Sequence, residues 1–494
     1  MPASAPNIIL ICVDQWRGDC LSTAGHPDVR TPHLDRLAAS GTHFDAAYSA
    51  TPTCVPARAA LFTGQSQERH GRVGYVEGVP FDRAHPVTLP GEFRRGGYQT
   101  QAIGKMHVYP ERSRIGFDDV VLHDGFLHFA RARGQRDVAH YDDYTPWLRR
   151  QPGAGPDSDH TDHGAGCNSL VARPWDKPER LHPTNWLAER TIEWLYRRDP
   201  TRPFFLYLSF HRPHPPYDPP AWAFEEYLDL PPYEPAVGDW ADDFADWHRD
   251  GDHEAFAGRM DARTLHRARA GYYGHMAHID LQIHRIQLAL ADFGLRDDTV
   301  ICFTSDHGEM LGEHHLFRKG FGFEGSARVP LLFGPLPGGE PAGGVASEVV
   351  ELRDVMPTLL ELAGLPVPEE CDGRSLVPFL RGERPAQWRE LLHGEHVLFD
   401  QSLQWVTDGR TKYLWMSGTG HEQLFDLVAD PHELHNLAAD PEAEHLLDTW
   451  RGHLVHALTG REEGFVADGR LITGRPVVNV LRHTRERIGA AAAC

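Results

Sequence analysis

Three short runs of apolar, β-branched and aromatic residues stand out along the chain: NIILICVD (7–14), FFLYLSFH (204–211) and TVICFTSDH (299–307). Each is nearly continuous and free of Gly and Pro, the pattern of strands buried on both faces of a parallel sheet. Between them the repeat turns helical, in TPHLDRLAASG (31–41), TNWLAERTIEWLYRR (184–198) and GHMAHIDLQIHRIQLALADFG (274–294). Strands alternating with helices predict an α/β fold, a large mixed and mostly parallel sheet sandwiched by helices. Composition shifts near LRGERPAQWRE (380–390). Beyond it, LQWVTDGRTKYLWM (403–416) reads as a hairpin turning at Asp408-Gly409, and EHLLDTWRGHLVHALTG (444–460) as a helix ending at Gly460. A smaller C-terminal α+β domain, 383–494, is therefore expected after a larger domain, 1–382. Two stretches have no period. QPGAGPDSDHTDHGAGCNS (151–169) reads as a long loop or lid, its DSDHTDHG as solvated polar loop rather than a metal site, and 231–247 as a surface excursion. The end, ERIGAAAAC, is expected to fray.

Composition narrows the function. Acidic residues outnumber basic ones 70 to 49, a formal charge of −21. Nucleic acid is excluded as a partner by that balance, because phosphate contacts need clustered Lys and Arg. A small anionic substrate in a local cationic pocket is not excluded. Seven scattered cysteines without a CxxC pair form neither a disulfide framework nor a zinc knuckle. The N-terminus has no basic region, and its apolar run is too short for a signal peptide or a membrane span. The expectation is a cytoplasmic protein without a membrane partner.

The ends of the buried runs carry the chemistry. The first ends in Asp14-Gln15, the second runs to His211 and His214, and the third ends in Asp306-His307. In a parallel sheet the carboxyl ends of strands open onto one crevice, so these groups are expected to meet. Carboxylate, amide and imidazole donors without thiolate favour a hard or borderline divalent ion over structural zinc. Arg58, Lys105 and His107 in AIGKMHV, and Lys319 in LFRKGFGFEG, would add an anion cradle. Phosphoryl or sulfuryl transfer needs that arrangement, since its barrier falls mainly through charge stabilisation and positioning. Pro56 suits the first turn of a helix through ARAALF, which puts Cys54 at the helix N-terminus. A depressed pKa and a reactive thiol are expected there.

At this point the residues resemble the formylglycine-dependent sulfatases of the alkaline phosphatase superfamily. Their signature, Cys-x-Pro-Ser/Ala-Arg before an apolar stretch and Thr-Gly, reads here as Cys54-Val55-Pro56-Ala57-Arg58 with Thr63-Gly64. VDQWRGD (13–19), IGKMHV (103–108), HRPHPPY (211–217), FTSDHGEMLGEHHLFRKG (303–320) and DGRSLVPFL (372–380) follow in the family's order. The resemblance implies an alkaline phosphatase-like fold and hydrolysis of an aryl or carbohydrate sulfate. It implies conversion of Cys54 to formylglycine by a formylglycine-generating enzyme. One hydroxyl of the hydrated aldehyde would attack sulfur, and the other would expel sulfate. Asp14, Gln15, Asp306, His307 and residue 54 are implied metal ligands, with calcium favoured and manganese the alternative. Arg58 would orient the nucleophile, Lys105, His214 and Lys319 would hold the sulfate, and His214 or His107 would protonate the leaving oxygen. Gln15 and His307 also resemble the phosphonate monoester and phosphodiester hydrolases of the superfamily, whereas Lys105 and His107 favour the sulfatases. A homo-oligomer is expected only because symmetric oligomers are common. Substrate selection is expected from loops 108–180 and 215–260 and from the C-terminal domain, with Trp147, Tyr217 and Trp222 as candidate ring platforms.

Overall fold

The computed structural model describes residues 5–125, 138–338 and 344–489. Its larger domain contains strands β1 (Asn7–Asp14), β2 (Thr42–Phe44), β3 (Ala47–Tyr48), β4 (Gln99–Gly104), β5 (Asp119–Leu122), β6 (Phe204–Pro213), β7 (Thr299–Ser305), β8 (Leu331–Phe333), β9 (Gly344–Ala346) and β10 (Val350–Glu351). Eight of them form one sheet in the order β5-β4-β6-β1-β7-β8-β2-β9, and β3 pairs with β10. Only β8 runs against the rest of that sheet among the described residues. The three apolar runs are its central strands.

Strand β1 explains why its sequence does not alternate. Ile9, Ile11 and Val13 enter one core, and Ile8, Leu10 and Cys12 enter the other. Helices cover both faces. Pro183–Arg197 and the 31-residue helix Ala262–Asp292 lie on one side, and Cys54–Thr63 and Val355–Leu362 on the other. The long helix starts well before position 274, where Asp261 caps it by accepting from the Thr264 backbone N–H at 3.0 Å. Its early turns were hidden by Gly271 and Gly274, which are poor helix formers. They are required by packing: a Cβ at Gly271 would lie 2.7 Å from Tyr217.

Strands β11 (Leu392–Leu398), β12 (Gln401–Thr407), β13 (Thr411–Met416) and β14 (Glu422–Asp426) make a second, antiparallel sheet. The expected hairpin is β12–β13, with Gly409 at φ +84°. Helix Glu444–Leu458 packs on this sheet and ends two residues before Gly460. Two expectations need adjusting. The 231–247 stretch runs largely over the surface but is pinned to it, because Trp240 and Phe244 are buried beside Phe323 and Phe425. Of ERIGAAAAC, residues 486–488 belong to the helix Arg482–Ile488, and the last five lie outside the described residues.

The two sheets are joined by backbone and charge. The free edge of β11 donates from Glu395 N to Ala50 O (2.8 Å) and from Val397 N to Val73 O (2.9 Å). Nearby, His393 pairs with Glu68 at 2.6 Å. Burial disfavours the Glu68 charge, but the His393 hydrogen bond outweighs it and holds the carboxyl at about 2. Burial likewise opposes charge on His393, and Glu68 overcomes it, raising the imidazole above its ordinary 6.5. Glu68 thus stabilises the fold above its ordinary 4.5, a contribution lost as pH falls toward 2. His393 contributes below 6.5 and loses its contribution as pH rises through its raised value. The Tm difference between native protein and His393→Gln is therefore expected to be widest between those two ordinary values and to shrink on the alkaline side. A difference that stays constant from about pH 5.5 to about pH 9 would contradict this account.

Candidate active site

Parallel strands bring their carboxyl ends to one edge, and the expected groups meet there. Asp14 ends β1, Lys105 follows β4, His214 follows β6, and Asp306-His307 follows β7. The Lys105 turn needs Gly104, at φ +105°, because a Cβ there would lie 2.0 Å from the Ser209 carbonyl oxygen. Cys54 is the first residue of its helix, with Thr53 as N-cap. One donor atom each from Asp14, Cys54, Asp306 and His307 lies within 4.8 Å of the others, and all four residues are buried.

The protonation pattern of this cluster is defined by its neighbours. His307 Nδ1 donates to Gly308 O at 2.9 Å, so Nε2 is the acceptor of the ring, with the Cys54 thiol as its neighbouring donor. Burial lowers the imidazole to about 4 and keeps it neutral. The Nε2 lone pair points at Cys54 Sγ (3.2 Å), Asp14 Oδ1 (3.4 Å) and Asp306 Oδ1 (3.6 Å). A lone pair facing two carboxylate oxygens in a dry site is repulsive unless a cation lies between them. The donor set therefore fits a divalent ion. Gln15 completes it: its backbone, at φ +72°, donates to Asp306 Oδ1 (3.1 Å), and its amide oxygen accepts from Lys319 Nζ (2.6 Å).

Cations surround the cluster. Lys105 Nζ donates to Asp14 Oδ2. Burial opposes the Asp14 charge, but Lys105, with Lys319 behind it, holds the carboxyl well below the usual range. Arg58 lies one turn past Cys54 and binds Asp306 Oδ2 through Nε and Nη2, both at 2.9 Å. Its Nη1 donates to Lys105 O, Tyr207 Oη and Ser209 Oγ at 2.6–2.9 Å. Lys319 also donates to His214 Nε2 at 2.6 Å, and His214 Nδ1 donates to Pro215 O at 3.0 Å. Burial, then Lys319, keeps His214 neutral, and burial pulls Lys319 below its ordinary value. His107, at φ +52°, is neutral through burial and the charge of Lys105. Its backbone N–H donates to Asp124 Oδ1 at 3.1 Å.

One expectation is overturned. The Cys54 thiol is not depressed; burial and then Asp14 push it up to about 11, past the help of the helix N-terminus. The 151–169 stretch is irregular as expected, but it is more than solvated loop: His163 Nε2 binds the buried Asp218 at 2.8 Å. Asp218 with His182 and His275 forms a second buried cluster. It does not suit a metal. Arg212 already grips Asp218 through 2.9 and 3.0 Å bonds. The Thr184 N–H on His182 Nδ1 forces the proton of that ring onto Nε2.

Above the cluster opens a cleft of ≈ 400 Å³ whose walls include Tyr75, Glu77, His107, Asn168, Phe256, Arg318 and the hairpin tip Phe399–Asp400. Asn168 and Phe256 come from the expected loops and 396–400 from the C-terminal domain, while the 75–77 segment was not anticipated. Trp147, Tyr217 and Trp222 do not line it: Tyr217 is buried against Tyr272, and Trp222 binds Glu179. Sequence reasoning also missed Tyr207 and Ser209, although two hydroxyls two residues apart in an apolar strand share one face and could have been read. Glu309, His396 and Asp124 carried no such signal.

Sheet edge, buried cations and donor set together define a hydrolase of anionic esters. The family model described as Sulfatase matches residues 6–365, and that of the N-sulphoglucosamine sulphohydrolase C-terminal region matches 312–459. An arylsulfatase of Clostridium perfringens is 46% identical over 486 residues, spanning 97% of this chain and 100% of that protein. The multifunctional alkaline phosphatase superfamily protein PehA of Trinickia caryophylli is 33% identical, spanning 88% of this chain and 91% of its own. A phosphonate monoester hydrolase of Agrobacterium radiobacter superposes with a TM-score of 0.72 at 31% identity, covering 95% of this chain and 100% of that one. The chain belongs to the sulfatase family of the alkaline phosphatase superfamily, enzymes that hydrolyse sulfate esters.

Removing Arg58 would leave Asp306 charged and buried without its partner. Arg58→Ala is expected to destabilise the metal-free protein by about 3–5 kcal/mol. Denaturant unfolding with chelator present checks this, and a loss below about 1 kcal/mol would contradict the pairing.

Proposed function

We propose that the protein hydrolyses an aryl or carbohydrate sulfate with residue 54, in its formylglycine form, as nucleophile. Asp14, Gln15, Asp306, His307 and an oxygen of residue 54 would hold one divalent ion. The observation that carries this reading is the convergence of His307 Nε2, an acceptor, with two carboxylates and Cys54 Sγ in one buried cluster. The thiol supports it from the other direction, since a group raised to about 11 is a poor nucleophile as it stands. Its conversion to an aldehyde requires an oxidant supplied by a separate modifying enzyme.

The ion, when bound, neutralises charge on the transferring group and stabilises charge developing in the transition state. Everything else falls to the chain. Lys105 and Lys319 hold the sulfate oxygens, and His214 fixes Lys319 by accepting its proton-bearing hydrogen bond. Arg58 holds Asp306 in place through two contacts to one carboxylate oxygen. One hydroxyl of hydrated residue 54 attacks sulfur as the S–O bond to the alcohol breaks. Lys319 Nζ, on the cleft wall, supplies the proton to the departing oxygen, since His107 and His214, the acids expected from the resemblance, are held neutral. The second hydroxyl then returns a proton to the Lys319 amine, the C=O bond reforms as the C–O bond to the sulfate breaks, and sulfate leaves. A serine at position 54 lacks that second hydroxyl.

Two carboxylates and an amide suit calcium, while the imidazole suits manganese. The ion is assigned by assay with each. Gln15, His307 and the 31% identical phosphonate monoester hydrolase favour a second reading, hydrolysis of a phosphonate monoester or phosphodiester. Lys105 and His107 favour the first. Formylglycine-bearing protein is expected to show the higher kcat/KM for an aryl sulfate than for a phenylphosphonate ester of the same leaving group. A preference for the phosphonate would move the assignment to the second reading. Lys319→Ala is expected to lower kcat/KM about 100- to 1000-fold. Cys54→Ser is expected to release at most a single equivalent of alcohol per chain, and sustained turnover by that variant would rule out the nucleophile assigned here.

A further inference from the structure

We propose that Glu309 is a positioning residue that fixes which atom of Gln15 faces the metal position, and so sets the affinity of that position for a divalent ion. The proposal rests on the reading of Gln15 as a ligand given above. Glu309 is 1% exposed and lies two residues past His307. Its Oε2 accepts from Gln15 Nε2. Its Oε1 accepts from the backbone N–H groups of Leu311 (2.8 Å) and Arg318 (2.5 Å). On the opposite side of the amide, Gln15 Oε1 accepts from Lys319 Nζ at 2.6 Å.

A carboxylate only accepts hydrogen bonds and an ammonium only donates them. The amide between them therefore has one satisfied orientation, with its NH₂ on Glu309 and its oxygen on Lys319. The reversed amide would set oxygen against carboxylate and N–H against ammonium, and would offer N–H to a cation. The two orientations have nearly the same shape, so packing alone does not choose between them. Glu309 chooses. It also supplies, one layer behind the donors, the negative charge that a neutral amide beside Asp14 lacks. Through the Arg318 N–H it holds the backbone next to Lys319, so one carboxylate places two groups of the site.

The test is calorimetric titration of full-length, chelator-stripped protein carrying unmodified Cys54, with calcium and separately with manganese. Glu309→Gln is expected to weaken Kd about 10- to 100-fold. The exchanged pair Q15E/E309Q is expected to return Kd to within about threefold of native, because residue 15 then presents a carboxylate oxygen and residue 309 an amide donor. A purely structural role would leave the exchanged pair no better than the single variant. Glu309→Gln that binds within about threefold of native overturns the proposal, as does an exchanged pair that binds as weakly as the single variant. If Glu309→Gln does not fold, the exchanged pair decides: native-like affinity supports the proposal, and failure to fold or bind overturns it. Native protein that takes up neither ion overturns the ligand reading and this proposal together, whereas native binding with an indifferent Glu309→Gln overturns only the role of Glu309.

Discussion

A neutral imidazole whose lone pair faces two carboxylates cannot stand by itself in a dry interior, and the site is built around that constraint. Three cations from three elements answer it: Lys105 after β4, Arg58 on the Cys54 helix and Lys319 in the loop past β7. Each is spoken for. Arg58 holds Asp306 through Nε and Nη2 and is itself fixed through Nη1, whereas the two lysines are point charges on flexible stems. Rigid Arg58 thus suits a permanent scaffold role, and the lysines suit an exchange of partners as ion and substrate arrive.

The parallel sheet is what makes so much of this readable in the chain. Strands buried on both faces leave unbroken apolar runs, and parallel order puts all their carboxyl ends on one edge. Asp14, Lys105, His214 and Asp306-His307 could therefore be placed together before any coordinates. What could not be read follows from tertiary placement. The helix N-terminus pointed to an acidic Cys54, but desolvation and the Asp14 charge outweigh a dipole effect that is modest even at its best. The 262–273 turns were obscured because glycines chosen for close packing against Tyr217 and Pro219 look like helix breakers. Glu309 has no signature either, since its role depends on an amide and two backbone groups brought from elsewhere.

The C-terminal sheet is part of the site and not an appendage to it. The β11 edge bonds to Ala50 and Val73, segments that lead directly to Cys54 and to Tyr75. Between those bonds His396 reaches Thr53 Oγ1 at 2.9 Å, touching the residue ahead of the nucleophile position. The hairpin tip Phe399–Asp400 then forms a cleft wall. The scaffold of the reacting groups is therefore the large sheet, while the shape of the cleft depends on how the second sheet is docked.

Backbone strain follows the same division. Of eleven non-glycine residues with positive φ among those described, eight lie in the cleft or its supporting loops: Gln15, His107, Leu311, His314, His315, Arg318, Phe399 and Asp400. Each left-handed residue costs roughly 1–2 kcal/mol, so together they demand on the order of 10 kcal/mol from the rest of the fold. Local bonds hold several of them in place, Asp306 on Gln15, Asp124 on His107, and Glu309 on both Leu311 and Arg318. Those holding groups are buried carboxylates, the same chemical type that the site needs for a cation. Asp306, one of the two carboxylates that make the edge repulsive without an ion, is also what holds the bent backbone of Gln15, which couples the shape of the site to its electrostatics.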